Sequence, residues 1–367
     1  DSNSVIPYSE WIERTPKAVG LDAGRRDEII GEASFMRGFL YFGMVQLWGG
    51  VPIVTKPVPE ITSDNFAEVY SILYPDSKTQ DEVYTQIIND LTTAVNQAPT
   101  AYGPTKMRGT KAAAHAILAK VYATRQPVDW NKVSEHADAV IASGFSLLPS
   151  YEQLWDGMHE NSAESIFELD CIGGATGSNW GSSMFVGKDW KKFNTPTHDL
   201  VDLFDAEQDM VRKNSSILFQ KITSWTDVNW DISNYPFCYK MRNTNGTQNQ
   251  ILLRLADILL LKAEALTELG QLDAVSGAQY YVNLVRSRAK LAPTTATTAD
   301  ALRTAIAKER RLELAFEGHR WYDLKRTGKA IETMTALGYT LNENKLLFPI
   351  PQGERDKNIN LKQNPGY

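Results

Sequence analysis

Two glutamates near the end of the chain have the spacing of a catalytic pair. Glu309 and Glu313 lie one helical turn apart in the segment RTAIAKERRLELAFEGHRWYDLKR, residues 303–326. On a helix of this period both side chains fall on the apolar side. Two inward carboxylates can act as an acid and a base, but buried carboxylates are costly unless they are paired. We interpret this pair as structural, and we predict that arginines from elsewhere in the fold contact it.

Other residue combinations give weaker signals for a reaction. Asp156 with Glu152, and Asp227 with Asp231, are carboxylate pairs near aromatic residues that could support glycoside cleavage, although such pairs are more often solvated loop charges. The five histidines form no zinc motif, and His319 is interpreted as a structural residue. Phosphate-binding loops and nucleophile elbows are missing from the sequence as well. We expect a protein that is not an enzyme, with no metal site and no cofactor.

Tryptophans in irregular segments suggest a binding function instead. Trp180 lies in a Gly/Ser/Asn loop, and Trp190 lies between Asp189 and two lysines. An exposed flat ring beside polar side chains suits a sugar, whose ring face is apolar and whose rim carries hydroxyls. We predict that Trp180 and Trp190 contact the ligand together with Asn179, Asp189 and Lys191; the alternative role for the two rings is to anchor the loop. The second candidates, from the next aromatic segment, are Trp225, Trp230 and Tyr235.

The elements that must position these residues are mostly helices. Helical periodicity is found in residues 25–47, 81–96, 110–124, 131–143, 251–269, 273–289 and 301–326. The first of these helices is apolar nearly all round, which predicts an interior position, and Trp48, Trp321 and Tyr322 are expected in the core. The 110–124/131–143 and 251–269/273–289 pairs are typical of tetratricopeptide-type hairpins. Residues 165–169 read as a short strand, and residues 173–187 and 225–245 as loops.

These patterns predict a mostly α protein: a tetratricopeptide-like helical-repeat scaffold with a loop-rich face that carries a few short strands. A net charge of -6 without a basic run argues against nucleic-acid binding. The apolar run 35–48 is too short and too interrupted to span a bilayer. Cys171 and Cys238 set no disulfide framework, and whether they form a single bridge stays open.

Several motifs resemble the SusD/RagB family of surface glycan-capture lipoproteins of Bacteroidetes-type bacteria. The segment EGHRWYDLKRTGK is similar to the family's closing signature, and EASFMRGFLYFGMVQLWGGVPIVT and LLRLADILLLKAEAL are similar to two further signatures. NTPTHDLVDLF, followed by DMVRKNSSIL, resembles the P-T-x-x-L-V-D-x-F…D-x-R segment, with Met210-Val211 before Arg212 as a departure from the pattern. The chain also ends with F-P-I-P and N-P-G-Y. The resemblance covers nearly the whole chain.

The resemblance implies a SusD-like α/α superhelix that captures an oligosaccharide without catalysis and hands it to a TonB-dependent, SusC-like outer-membrane transporter. It also implies surface localisation in the outer membrane through an upstream lipid anchor that is absent from this chain. Ligand-contacting aromatics in relatives lie just before the P-T-x-x-L-V-D segment, where Trp180 and Trp190 are. We expect residues 1–165 to form the helical-repeat part and residues 166–367 the SusD/RagB part of one compact unit. The rival hypothesis is a repeat scaffold that binds a peptide or protein.

Overall fold

The computed structural model describes residues 5–179 and 194–367. Its helices are α1 (Ile6–Arg14), α2 (Ala23–Trp48), α3 (Phe66–Leu73), α4 (Gln80–Gln97), α5 (Lys111–Tyr122), α6 (Trp130–Ile141), α7 (Gly174–Gly177), α8 (His198–Ala206), α9 (Met210–Ser216), α10 (Leu255–Glu268), α11 (Ala278–Arg288), α12 (Ala299–Glu313), α13 (Arg320–Arg326), α14 (Ala330–Ala336) and α15 (Gln352–Lys357). The strands are β1 (Ser165–Leu169), β2 (Ile217–Gln220), β3 (Tyr235–Cys238) and β4 (Gln250–Arg254). The prediction of a mostly α protein with a few short strands is confirmed.

Helix α2 is the centre of the first of two compact units, which comprises Asp1–Gly103, Arg108–Asp129 and Trp321–Tyr367. The side chain of Asp22 accepts a hydrogen bond from the backbone of Arg25 and begins the helix, and Gly49 with φ of 74° ends it. Residues 28–48 are all at least partly buried, which confirms the predicted interior position. Helices α1 and α4 pack against α2, and α5 packs against α4.

A buried ion pair fixes the register between α2 and α4. Arg37 Nε donates to Asp90 Oδ2 at 2.8 Å, and Arg37 Nη2 donates to Asp90 Oδ1 at 2.6 Å. Both residues are at most 5% exposed. A guanidinium group binds a carboxylate through two hydrogen bonds in one planar geometry. This contact therefore joins α2 to α4 and also sets the position of one helix along the other.

Helix α10 has the corresponding central place in the second unit, Pro104–Met107 with Trp130–Arg320. It packs against α6, α11 and α12, and Lys262 Nζ binds Asp138 Oδ2 of α6 at 2.6 Å. Two antiparallel two-stranded sheets, β1–β4 and β2–β3, carry the irregular segments of this unit. Of the two predicted helix pairs, the second is confirmed, because α10 packs against α11. In the first pair, α6 packs mainly on α10 and α5 on α4, a choice of partner that small residues and a short turn do not determine.

Four sequence predictions of local structure were wrong. In the segment 173–187, predicted to be loop, Gly174–Gly177 form α7. The helix predicted over residues 301–326 is divided: α12 ends at Glu313, the backbone takes positive φ at Phe316 (65°) and Gly318 (80°), and α13 begins at Arg320. Residues 250–254 form β4, because an aliphatic run fits a buried strand as well as a helix until its partner β1 is known. The segment 225–245, predicted to be loop, contains β3.

The aromatic residues expected in the core are less buried than predicted. Trp48, Trp321 and Tyr322 are all partly exposed, in keeping with the size of such side chains, which are rarely covered completely. Among the described residues, none of the helices combines the length and the apolar character needed to cross a membrane. Neither Cys171 nor Cys238 forms a disulfide; both thiols are buried and free.

Candidate ligand-binding site

An aromatic cluster in the second unit brings together the second set of predicted ligand residues. Tyr235 and Phe237 are buried on β3, and the rings of Trp225 and Trp230 pack against the same apolar cluster while staying partly exposed. The Trp225 ring meets the Tyr235 ring edge to face, with centroids 4.8 Å apart and planes at 89°. Two indoles are thus presented on a packed apolar base, which limits their rotamer freedom.

Two contacts fix the side chain of Trp230. Its ring stacks on the imidazole of His198 with centroids 3.7 Å apart, and its Nε1 donates to the carbonyl of Pro196 at 3.0 Å. His198 Nε2 lies 2.7 Å from the carbonyl oxygen of Asn229. Because a carbonyl can only accept, Nε2 carries the proton and the imidazole is fixed in one orientation. The indole is therefore a rigid surface element.

Asp227 organises the loop between the two tryptophans. Its Oδ1 accepts from the backbone N–H groups of Asn229 at 2.7 Å and Trp230 at 3.1 Å, and its Oδ2 lies 3.4 Å from the hydroxyl of Tyr235. Burial, and then the nearby Asp227 carboxylate, raise the pKa of Tyr235. An Asp that caps backbone donors two and three residues ahead is a turn-forming residue. Its contacts favour a structural role over acid–base chemistry.

Asn179 connects this unit to the segment with the first predicted ligand residues. It is buried, its backbone N–H donates to the Gly246 carbonyl at 2.7 Å, and its Nδ2 donates to the Gln248 carbonyl at 3.0 Å. These contacts make Asn179 an anchor of the chain just before residue 180. Trp180, Asp189, Trp190 and Lys191 lie outside the described residues, so their ligand role stays a prediction.

The structure thus sorts the predicted site residues by accessibility. Trp225 and Trp230 are partly exposed and share one cluster, whereas Tyr235 is 1% exposed and supports them from below. Sequence reasoning missed His198 and undervalued Asp227. The signal for Asp227 was present in Asp-Val-Asn-Trp, an Asp followed by a turn. No local pattern indicated His198, because its partner ring is 32 residues away along the chain.

Glu309 and Glu313 have the structural role that was predicted. Both are fully buried. Arg212 Nη1 donates to Glu309 at 2.6 Å and to Glu313 at 3.1 Å, Arg254 Nη1 donates to Glu313 at 2.6 Å, and Arg288 also binds Glu313. Burial alone would raise the pKa of Glu313, but the three guanidinium groups lower it well below the ordinary value. A carboxylate that is held ionised among three arginines is unsuited to donate a proton.

The same ionic network holds the end of the aromatic segment. Lys240, two residues after β3, donates from Nζ to Glu317 Oε1 at 2.6 Å and lies over the ring of Trp155, 4.6 Å from its centroid. Arg254 Nε binds the other oxygen of Glu317 at 2.7 Å. Charge pairs in low dielectric are strong and geometrically demanding. The strand that carries Tyr235 is therefore fixed to the ionic core.

The carboxylates of the two predicted loop pairs contact other groups. Asp156 Oδ1 accepts from two backbone N–H groups and its Oδ2 lies 2.7 Å from His159 Nδ1, whereas Glu152 binds Arg242. Asp231 Oδ1 accepts from the Ser233 N–H at 2.8 Å. In the described part of the chain, no group of His, Cys, Asp and Glu side chains is placed to hold a metal ion.

Comparison with known protein families agrees with this architecture. Residues 207–367 match the SusD family, and residues 10–123 match a family described as starch-binding associating with outer membrane. A SusD-like protein of Formosa agariphila is 30% identical over 397 aligned residues, which cover 94% of this chain and 75% of the relative. A SusD-like protein of Bacteroides ovatus is 27% identical, with 88% of this chain and 62% of the relative covered.

Solved structures show the same fold. A laminarin-binding SusD-like protein has a TM-score of 0.80 at 27% identity, with all of this chain and 84% of that one covered. A SusD superfamily protein from Parabacteroides distasonis has a TM-score of 0.83 at 24% identity, covering 99% and 83%; at that identity the likeness concerns the fold alone. Sequence matches at both ends and a shared architecture throughout lead to one conclusion: the chain belongs to the SusD/RagB family.

Proposed function

We propose that this protein binds an oligosaccharide through exposed indole rings and does not cleave it. The observation that carries the proposal is the rigid presentation of Trp225 and Trp230 on one apolar cluster. It is supported by the similarity to a laminarin-binding SusD-like protein over the whole chain. Flat apolar rings that are already fixed lose little entropy when a sugar ring covers them.

The polar surroundings of the cluster suit a neutral, hydroxyl-rich ligand. Thr226 and Asn229 are exposed beside the two indoles, and both can hydrogen-bond to hydroxyls. Asp227 is committed to backbone donors and to Tyr235, so it shapes the loop rather than reacting. We include Trp180, Trp190, Asp189 and Lys191 in the proposed site as further contacts from the adjoining segment, and we assign to buried Asn179 the anchoring of that segment instead of a ligand contact.

We further propose that the protein works at the cell surface, held in the outer membrane by a lipid anchor, and delivers its ligand to a SusC-like, TonB-dependent transporter. Support comes from the match of residues 10–123 to a family described as associating with the outer membrane. Weak binding suits delivery, because a millimolar dissociation constant corresponds to only about -4 kcal/mol and allows rapid release.

Calorimetric titration with laminarin oligosaccharides tests the binding site. We expect each of Trp225→Ala, Trp230→Ala, Trp180→Ala and Trp190→Ala to weaken binding about tenfold, since one stacked ring carries about 1.4 kcal/mol or more. The matched control is Trp11→Ala, which removes a 54% exposed indole from α1. It should bind like the parent.

Two results would contradict the proposal. If a broad glycan array that includes laminarin gives no binding by the parent, the function is wrong. If the parent binds and all four variants bind equally well, glycan capture stands but the site lies elsewhere. Melting temperatures of every variant accompany the titrations, because Trp230 also packs against the apolar interior.

A further inference from the structure

His198 lies on the solvent side of Trp230. The imidazole of His198 is exposed, whereas the indole of Trp230 is partly buried and packs against apolar clusters that include Leu200 and Tyr235. The two rings are stacked with centroids 3.7 Å apart and planes at 27°. Rings at this separation are in van der Waals contact, and a ligand has no room between them. On this side of the indole, the outermost flat surface is therefore the imidazole.

The imidazole is fixed before any ligand arrives. His198 is the first residue of α8, whose Leu200 and Phe204 are buried in an apolar cluster that Trp230 also contacts. At the other end of the side chain, Nε2 donates to the carbonyl of Asn229 at 2.7 Å. A ring that is held by its helix and by a hydrogen bond loses little conformational freedom when a ligand covers it.

The same hydrogen bond leaves an acceptor at the edge of the ring. In a neutral imidazole one nitrogen donates and the other accepts. Because Nε2 carries the proton, the free lone pair of His198 is on Nδ1. Within residues 5–179 and 194–367, no backbone or side-chain group forms a hydrogen bond with this nitrogen. The indoles of Trp225 and Trp230 can only donate, so His198 supplies an acceptor that the two tryptophans lack.

A flat ring with an acceptor at its edge suits a neutral, hydroxyl-bearing ligand. An ionised carboxylate has no proton to donate and gains nothing from Nδ1. The carboxylate next along the chain, Asp199, is paired with Arg311 and is not free to replace Nδ1 as the acceptor. A sugar unit combines an apolar face, which can cover the imidazole, with hydroxyls that can donate to the nitrogen.

We propose that His198 is a ligand-contact residue of the oligosaccharide site. One sugar unit covers the outward face of the imidazole. Because the lone pair of Nδ1 lies in the plane of the ring, the hydroxyl that donates to it comes from the adjoining unit, beside the stack. Trp230 acts beneath His198 on this side, as the support that holds the imidazole flat. The inference rests on the proposed function for the presence of a bound oligosaccharide.

Calorimetric titration of three variants tests the two contacts. The probe is the oligosaccharide that the parent binds most tightly in a glycan array that includes laminarihexaose. His198→Ala removes both the ring surface and the acceptor, and it should weaken binding about tenfold. His198→Phe keeps a flat ring on Trp230 but removes the acceptor, and it should weaken binding about threefold. The matched control is His159→Phe, at a histidine of the same unit whose side chain is 42% exposed, and it should bind like the parent.

Nitrogen-15 NMR of the imidazole groups gives a readout that a merely structural role would not change. In the parent labelled at its five histidines, the signals of His198 are those that disappear in His198→Phe. At about pH 8, where a histidine side chain is ordinarily neutral, they should show the form with the proton on Nε2. Added oligosaccharide should move the Nδ1 signal to lower frequency, because an acceptor nitrogen becomes more shielded when it gains a hydrogen bond.

The outcomes separate this inference from the proposed function. If the parent binds no oligosaccharide of the array, both fail together. If the parent binds and His198→Ala binds equally or more tightly, the sugar does not use the imidazole; the inference is then wrong and the proposed function stands. An Nδ1 signal that stays in place, or a His198→Phe variant that binds like the parent, would overturn the hydrogen bond to Nδ1. Melting temperatures accompany the titrations, and the NMR experiment on the parent decides the question even if a variant is less stable.

Discussion

Glu313 is contacted by three arginines that come from three different elements. Arg212 lies on α9, Arg254 ends β4 and Arg288 ends α11. All three are at most 8% exposed. Glu313 thus shares with Glu164, Glu309 and Glu317 the neutralisation of charges that would be costly to bury alone. It also connects three elements far apart along the chain. This is the reason a helix with an apolar side carries a glutamate on that side.

Replacing Glu313 by Ala should lower the free energy of unfolding by about 3–5 kcal/mol, because buried arginines would lose a partner that nothing replaces. Chemical denaturation measures this directly. The affinity of the folded fraction for its oligosaccharide should be unchanged. A variant that unfolds like the parent but has lost its ligand would place Glu313 in a binding site.

The control for this substitution is Glu332→Ala. Glu332 is paired with Lys329 at 2.8 Å, but its side chain is 74% exposed, and exposed pairs contribute about 0–1 kcal/mol.

The pH dependence of the free energy of unfolding gives a second test of the role of Glu313. The pKa of Glu313 is lower in the folded protein than its ordinary 4.5, so its stabilisation is present above about pH 4.5 and declines as the pH falls. Glu313→Gln should have a weaker dependence on acid than the parent.

At the scale of elements, α2 and α4 approach each other closely at one glycine. A Cβ added at Gly31 would lie 2.2 Å from the backbone nitrogen of Ala98, which follows the last residue of α4. A Cβ added at Gly43, on the same helix, would meet nothing within 4 Å. The two glycines thus have the same local structure but different surroundings.

We expect Gly31→Ala to destabilise the protein by about 1–3 kcal/mol, because the helix and the start of the following segment must separate. Gly43→Ala should stabilise it by up to about 1 kcal/mol, the ordinary gain of Ala over Gly inside a helix. Thermal unfolding of both variants gives the comparison. Equal melting temperatures would show that the close approach at Gly31 does not exist.

At the scale of the whole molecule, the carboxylates near the aromatic residues are used to shape loops. Asp227 and Asp156 accept backbone N–H groups, and Asp231 caps the turn that follows it. Because these carboxylate oxygens already accept hydrogen bonds from the backbone, they support the proposed function of ligand capture without a reaction.

Incubation of the protein with any oligosaccharide that it binds should therefore release no new reducing ends above the buffer control. Chromatography of the recovered oligosaccharide should show its original length. Reproducible cleavage that disappears in Asp227→Asn or Asp156→Asn would show that one of these carboxylates reacts, and the proposal of a non-catalytic protein would be wrong.

The sequence by itself determined the helical class, the family and the need for a buried ionic partner. Helical periodicity placed α4 and α6 within one or two residues of their ends, because an amphipathic period is a local property. Glu309 and Glu313 on an apolar stripe required cations, which follows from the cost of burying charge and from no knowledge of the fold.

Only the tertiary structure decided which cations these are and where the chain turns. The sequence could not identify Arg212, Arg254 and Arg288 as the partners, because ion pairs between residues far apart along the chain produce no local sequence pattern. The same holds for β4, which forms because its backbone pairs with that of β1. It also holds for Tyr235, whose burial follows from packing against Trp225 and Phe237. Long-range contacts decide between local conformations of similar energy, and those contacts exist only once the chain has folded.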